Sequence, residues 1–422
     1  MASTYLTRTP SSASNRKTFT FSAWVKPSST TSGVLFSCGT DISNGPLFTI
    51  NFRSDTNIRV EDTISGGTQP INLRTSRLFR DHNAWYHLVV AVDTTQGTAS
   101  DRVKIYVNGE QETSFTSATY PNQNIDTSVN NNHIHAIGAR STSQSGTYYN
   151  GSMSHVHFCD GTALAPTVFG STDSTTGEWK INTSPSFTPG TNGFTILKDG
   201  NTITDQSANS NNWTLAGGTL TKTEDCPSNV FATMNPLVPT TSLNFSNGNT
   251  TLTGTNATNY GSNNTSTLGA SSGKYYFEIE YDTAGSNVSP SVGISPISTS
   301  ATTNPTGAVS DVIVVTMQNQ IYVEGTNSAS YLGSTPTTGD IIQIALDMDN
   351  GKVFFGLNGT FVGDPVAGTG GAFSGITSGE TIALNIRPLN AVFKCNFGNG
   401  YFGTTAVSSA GTNASGIGIF EY

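Results

Sequence analysis

The period of the apolar residues is what most limits the folds open to this chain. No segment keeps a helical spacing of apolar side chains over three turns, whereas alternation of apolar and polar residues recurs from end to end. "TFTFSAWVKP" puts Phe19, Phe21, Ala23 and Val25 on one face and Trp24 on the other. "WYHLVVAVD" is almost continuously apolar from Leu88 to Val92, the pattern of a strand buried on both sides. "KYYFEIEY", "DVIVVTM" and "IIQIALDMD" behave similarly further on. Charged residues make up only 11% of the chain, and Ser, Thr, Asn and 44 Gly fill the gap, which suits short strands joined by polar turns. At 422 residues the chain exceeds one ordinary β domain, and 22 Phe are available for cores. The expected class is all-β, with two β-sandwich (jelly-roll) domains.

All six His and all four Trp lie before residue 214, which argues for two cores of different origin. Residues 171–238, rich in Pro, Asn and Gly, read as a connecting segment with short strands. The expected domains are therefore 1–170 and 239–422, the second with a C-terminal extension. "DRVKIYVNGEQ" and "GKVFFGLNGTF" each place Asn-Gly between alternating strands, a strong hairpin signal because both positions tolerate positive φ. The nearby Asp347 and Asp349 do not start a calcium loop, since the sixth and twelfth positions hold Lys352 and Asn358 instead of Gly and Glu. Acids before Asn-Gly shape a turn.

The net charge is −9 with Lys and Arg scattered, so there is no basic stripe of the kind that displaces counterions from nucleic acid. The opening "MASTYLTRTPSS" has no apolar core of a signal peptide, and no apolar run is long enough to span a membrane as a helix. Cys38, Cys159, Cys226 and Cys395 are far apart with no CxxC spacing, as expected of free thiols in a protein made in a reducing cytoplasm.

Several linked motifs carry a resemblance. "FTFSAWVKPS", "LFSCGTD", "AWYHLVVAVD", "DRVKIYVNGEQ", "HAIGA" and "YNGSMSHVHFCDGTALAP" follow one another in the order of a laminin-G-like, concanavalin-A-type jelly roll, which they resemble over about residues 4–170. "SSGKYYFEIEY", "PSVGIS", "GDIIQIALDMDNGKVFFGLNGTF" and "FKCNFG" resemble a SPRY domain over about residues 240–400. The two modules, with "TDQSANSNNWT" and "DCPSNVFATMNP" between them and "NASGIGIFEY" at the end, resemble an arrangement in virion proteins of marine tailed bacteriophages. The chain opens its first sandwich at once, which leaves room for a capsid- or baseplate-mounted subunit beside a tail fibre.

The resemblance implies a non-enzymatic virion structural protein (tail fibre, capsid fibre or similar appendage) on the virion surface, made in the bacterial host cytoplasm. Its partners would be other capsid, tail or baseplate subunits and a host-surface glycan or protein. Virion symmetry implies a homo-oligomer, with a trimer favoured. One alternative is an architectural decoration, cement or baseplate protein without ligand; another is a concanavalin-A-type glycoside hydrolase. The hydrolase needs two close carboxylates. The nearest match, Glu278-Ile-Glu280-Tyr-Asp282, aligns its acids on one strand face but lies in the second half, so no catalytic residue is expected.

His133 with His135, and His155 with His157 and Cys159, could bind zinc only if their strands were neighbours. His157 is read as an outward, surface residue between the core residues Val156 and Phe158, and His87 as a packed strand residue and not a general base. The resemblance allows a rim calcium, but no spacing selects Asp41, Asp160 or Asp364, and neither metal nor cofactor is expected. Ligand-binding candidates come from loops. "GARSTSQSGTYYNG" offers Arg140, Tyr148 and Tyr149 among Ser, Gly and Asn, and "NSASYLG" offers Tyr331. The competing reading makes the tyrosines caps of the core.

Overall fold

The computed structural model describes the chain apart from residues 1–2, 29–31, 41–42, 83, 142–146, 199, 201, 223–224, 239, 241, 257–261, 286–288 and 413–417. The chain forms two compact units, Met1–Lys222 with Cys226–Ser228, and Thr223–Asp225 with Asn229–Tyr422. Both are antiparallel β-sandwiches, as the alternation requires.

In the first unit an eight-stranded sheet runs Phe115–Thr119, Ile71–Thr75, Ile58–Thr63, Leu47–Phe52, Gly33–Gly39, His135–Ile137, Tyr5–Arg8, Thr214–Gly217. It faces a six-stranded sheet in the order Phe194–Ile196, Gly151–Asp160, Thr18–Pro27, Tyr86–Asp93, Val103–Val107, Glu110–Gln111. Inward residues of both sheets interdigitate: Phe21 stacks on Phe36 at 5.1 Å, and Phe19 meets Phe48 edge-on at 5.7 Å.

The second unit repeats the plan. One sheet includes Lys274–Thr283, Ile341–Asp347 and Lys352–Leu357, and the other includes Ser291–Pro296, Ile313–Thr316 and Ile382–Arg387. Ile279, Ile344 and Phe355 from the first meet Val292, Ile313 and Leu384 from the second in one core.

The two Asn-Gly hairpins form as expected. Asn108 and Asn358 sit at φ 50° and 47°, and each side-chain oxygen accepts a backbone N–H from the preceding strand at 2.8 Å, from His87 and Ile341 respectively. The acids of the opposite turn are also structural, since Asp347 accepts the Asn350 N–H at 3.1 Å and Asp349 accepts the Gly273 N–H at 2.6 Å.

The stretch 171–238 differs from expectation. Most of it completes the first sandwich: Phe194–Ile196 pairs with Gly151–Asp160, and Thr214–Gly217 pairs with Tyr5–Arg8. Phe194, Ile196 and Trp213 are buried in the first core, and Met234 is buried in the second. The Pro/Asn/Gly content therefore belongs to turns between short strands and not to a linker. A hairpin of Gly170–Thr172 with Trp179–Ile181 adds a roof over the outer side of the six-stranded sheet.

Under that roof His157 is buried, not at the surface as the sequence suggests. It does point away from the main core, but it stacks on Phe169 at 5.5 Å and meets Phe187 edge-on at 5.8 Å. His87, also fully buried, lies between Trp24 at 5.0 Å and Trp179 at 5.9 Å. The outer face of this sheet is a second small core.

Candidate ligand-binding face

Alternation on three adjacent strands of the first sandwich's eight-stranded sheet builds a polar outer face. Phe48, Ile50, Val60, Ile71 and Leu73 enter the core, so Thr49, Asn51, Arg59, Glu61, Asn72 and Arg74 point outward. The centre of this face is tightly bonded. Glu61 pairs with Arg59 at 2.7 Å and accepts the Thr49 hydroxyl at 3.0 Å, while Arg59 Nε donates to Asn72 at 3.0 Å.

Arg140 lies close enough to Glu61 and Arg53 to feel both charges. Its loop is tied to the sheet through Ser37, which donates its hydroxyl to the Ala139 carbonyl and accepts the Ser141 N–H, at 2.9 and 2.8 Å. Burial lowers the Arg140 pKa from its ordinary value, with Glu61 opposing and Arg53 adding to the shift. The buried Nε has no partner among the described residues, and the buried Asn51 Oδ1 is likewise unbonded. Three guanidiniums, Arg53, Arg59 and Arg140, share one carboxylate that Arg59 already occupies, so the face is locally cationic on a chain of net charge −9.

The other loop candidates divide differently. Tyr148 is half-buried, its ring 5.9 Å from Tyr5. Tyr149 packs against the core, stacked on Phe52 at 6.2 Å, and burial pushes its phenol well above the usual range. Tyr331 packs edge-on to Phe355 at 6.3 Å, with its pKa pushed by burial to about 12. Its hydroxyl is buried and unbonded among the described residues. Both residues have the geometry of core caps. The middle of the loop, residues 142–146, lies outside the described residues.

Thr49, Asn51, Arg59 and Glu61 were missed as site residues. Their signal was present in the polar positions of "LFTINF" and "IRVED", but it gains meaning only when cross-strand register sets those positions side by side.

The remaining chemistry is accounted for by geometry. His135 lies on the eight-stranded sheet and His155 and His157 on the six-stranded one, so the two histidine pairs do not meet. Trp179 Nε1 donates to His87 Nδ1 at 3.0 Å, which leaves the proton on Nε2, donated to the Ser22 hydroxyl at 2.9 Å. A histidine that donates to a serine cannot take its proton, and burial lowers the His87 pKa to about 3. Glu278 is fully buried; it accepts the Tyr276 hydroxyl at 2.8 Å and the N–H groups of Glu421 and Tyr422, each at 2.9 Å. Glu280 and Asp282 pair with Lys394. Of the rim acids, Asp160 accepts from Asn130 at 2.8 Å and from the Asn192 N–H at 2.9 Å, and Asp364 accepts the Val366 and Ala367 N–H groups at 2.9 Å; Asp41 lies outside the described residues.

Fold and site together define a chain of two β-sandwich modules of the binding-module kind. Residues 2–169 match the family model of the Concanavalin A-like lectin/glucanases superfamily, and residues 274–399 match that of the SPRY domain. No curated protein matches the chain. Among solved structures it is similar to the SPRY domain of human HERC1, at 21% identity over 36% of this chain and 91% of that one, with a TM-score of 0.30. It is also similar to the TRIM65 PSpry domain, at 13% identity over 39% and 91% of the two chains, TM-score 0.29. A third is the native heptameric SAP-like pentraxin from Limulus polyphemus, at 16% identity over 38% and 71%, TM-score 0.29.

Proposed function

We propose that the chain is a non-enzymatic structural protein of a bacteriophage virion, displaying its sandwiches for adhesion, and that the Arg140 face of the first sandwich holds an acidic glycan of the host surface. The virion setting rests on the resemblance of the module order. The ligand class rests on one observation: a half-buried guanidinium whose Nε has no partner among the described residues, on a polar face where Glu61 is already paired with Arg59 and Asp55 with Arg74. Such a fork matches a carboxylate in both shape and charge.

A hydrolase needs two carboxylates about 5 Å apart, or further in the inverting case. The outer faces of Leu47–Phe52, Ile58–Thr63 and Ile71–Thr75 present Glu61 alone, which supports binding without cleavage.

The test is retention of the purified chain on immobilised polygalacturonate against dextran, with reducing sugar measured in parallel. The expected result is salt-sensitive retention on the acidic polymer only, lost in Arg140→Ala and largely lost in Arg140→Lys, with no sugar released. Equal retention on dextran, or an Arg140→Ala variant that binds normally, would overturn the glycan assignment. Antibody labelling of intact particles tests the virion setting separately.

A further inference from the structure

The roof over the first sandwich is tied to it by very little. The chain leaves the six-stranded sheet at Asp160 and returns beside it at Pro189, whose carbonyl accepts the Asp160 N–H at 2.8 Å. In between, residues 165–187 bond mainly to themselves. The Phe169 carbonyl accepts the Asn182 N–H at 2.9 Å, and Asp173 accepts from Lys180 at 2.8 Å. Among the described residues, one hydrogen bond joins 165–187 to the rest of the unit, from Trp179 Nε1 to His87 Nδ1 at 3.0 Å.

The ring contacts repeat the pattern. Phe169 packs on His87 at 6.2 Å and on His157 at 5.5 Å, Trp179 on His87 at 5.9 Å, and Phe187 on His157 at 5.8 Å. Among the described residues, every ring contact from the roof to the sheet is thus made to a histidine. Trp179 also lies over Gly109 of the Asn-Gly turn, where an added Cβ would meet its ring at 2.4 Å. The roof's own pairing is a two-stranded hairpin, a unit that is marginal when nothing packs against it.

His87 has one basic atom, and the roof uses it. Nε2 carries the proton donated to Ser22, so an incoming proton must go to Nδ1, the lone pair that accepts Trp179. An indole N–H can only donate, so the charged ring and the closed latch exclude each other. Cation–π attraction to Trp24 and Trp179 works the other way, but the ring would stay out of water and lose its bond. Burial lowers the pKa of His87 and His157 to about 3. Other charges do not assist. Lys26, Lys104, Tyr106 and Cys159 are the further ionisable residues on this side of the sheet, and Lys198 and the His155 ring, 6.2 Å from His157, add positive charge beside it. On the roof, Glu178 is exposed and Asp173 is paired with Lys180. No carboxylate among the described residues bonds either imidazole, and His157 Nδ1 is 3.0 Å from the Thr195 hydroxyl.

We propose that residues 165–187 form an acid-released flap: protons taken up by His87 and His157 free it from a sandwich that stays folded, uncovering Trp24 and both imidazoles. In the open form the two rings regain water and titrate near their ordinary 6.5. The closed form is therefore fully favoured above about pH 6.5 and progressively lost below it. From pH 7 to 5 the open-to-closed ratio should rise about twenty-fold for one ring and about 500-fold for both. The device is independent of the Arg140 face, which lies on the other sheet.

The test is hydrogen exchange by NMR on the full chain at pH 7 and pH 5, with each rate corrected for its intrinsic pH dependence. The Trp179 indole N–H and the Asn182 amide should lose protection by about 100-fold or more, while Phe21 and Val90 in the core strands lose far less. Trp179→Phe, which removes the donor and keeps a ring, should speed Asn182 exchange already at pH 7. His87→Gln with His157→Gln keeps groups able to accept and should abolish most of the pH effect. Unchanged protection at Trp179 between the two pH values, or equal losses at Trp179, Phe21 and Val90, would overturn the assignment. So would a folded double variant that keeps the full pH effect.

Discussion

Both sandwiches send aromatic side chains to the outer face of a sheet, and the two faces end differently. In the first, Trp24, His87 and His157 lie beneath Phe169, Trp179 and Phe187, which close over them as a second core. In the second, Tyr276 and the fully buried Phe354 flank Ala345, which stays partly exposed between Phe420 and the turn from Phe361 to Val366. Outward aromatic residues thus end sealed or partly open according to what the rest of the chain lays over them. The covered face has a cost of its own: its histidines must stay neutral.

The largest test of this contrast is acid. Burial lowers the pKa of His87 and His157 to about 3, and of His135 to about 4, from 6.5. Between those values the unfolded state binds more protons, so stability is full above about pH 6.5 and falls as pH drops below it. From pH 6.5 to 5 each should remove about 1.5 kcal/mol from the first sandwich. Asp62 opposes them: its pKa is raised by burial to about 6, so it returns about 1 kcal/mol over the same window. The second sandwich contains no histidine. In Asp347, burial is outweighed by bonds from Asn350 and Lys274, so its pKa falls below 3.8 and its contribution is lost only below about pH 4. Tryptophan emission reports the first sandwich alone, since all four Trp lie there. Its urea midpoint should drop clearly at pH 5; an unchanged midpoint would break the contrast.

Next in size is the clamp that half-covers the second face. Glu278→Ala strands the amides of Glu421 and Tyr422 together with the Tyr276 hydroxyl and the Asn396 amide. Losing a buried acceptor of several bonds should cost about 3 kcal/mol in the second sandwich. Hydrogen exchange at Glu421 and Tyr422 should speed up, with tryptophan emission unchanged. Slow exchange at both amides in Glu278→Ala would mean that something other than this carboxylate holds these residues.

How much was legible in the sequence follows from the range of each interaction. Alternation and Asn-Gly turns are local, so the two sandwiches, the hairpins and the turn-forming role of Asp347 and Asp349 could all be read directly. The roof could not, because nothing near "HVHFC" announces that Phe169 and Phe187 will return over His157. The segment 171–222 was misread for the same reason: three- and four-residue strands leave almost no periodic signal, and their partners lie far away in sequence. Arg140 was visible as a loop arginine, but its acidic neighbour Glu61 was not, since the two are brought together only by sheet order.

A smaller effect separates the two faces directly. Ser22 is fully buried beneath the roof and bonded to His87, whereas Ala345 faces an open pit. Ser22→Phe should destabilise the first sandwich by about 1–3 kcal/mol through overpacking, while Ala345→Phe should change the second by less than about 0.5 kcal/mol. Equal costs in urea unfolding would mean that the pit is closed in solution.

The smallest expected change concerns Tyr149, where the choice between cap and contact can be made by one atom. Its hydroxyl donates to the Ser152 carbonyl at 3.4 Å, a long bond, and also bonds the Lys26 backbone, while its ring stacks on Phe52 and packs against the core. Tyr149→Phe keeps the ring and should cost about 1 kcal/mol for the lost Lys26 backbone bond, with polygalacturonate retention intact. Tyr149→Ala removes the ring and should cost about 2–3 kcal/mol, by the same large-to-small logic as any half-buried aromatic. If Tyr149→Phe instead keeps its stability and loses retention, the hydroxyl touches ligand, and the binding face of the first sandwich extends from Arg140 across this loop.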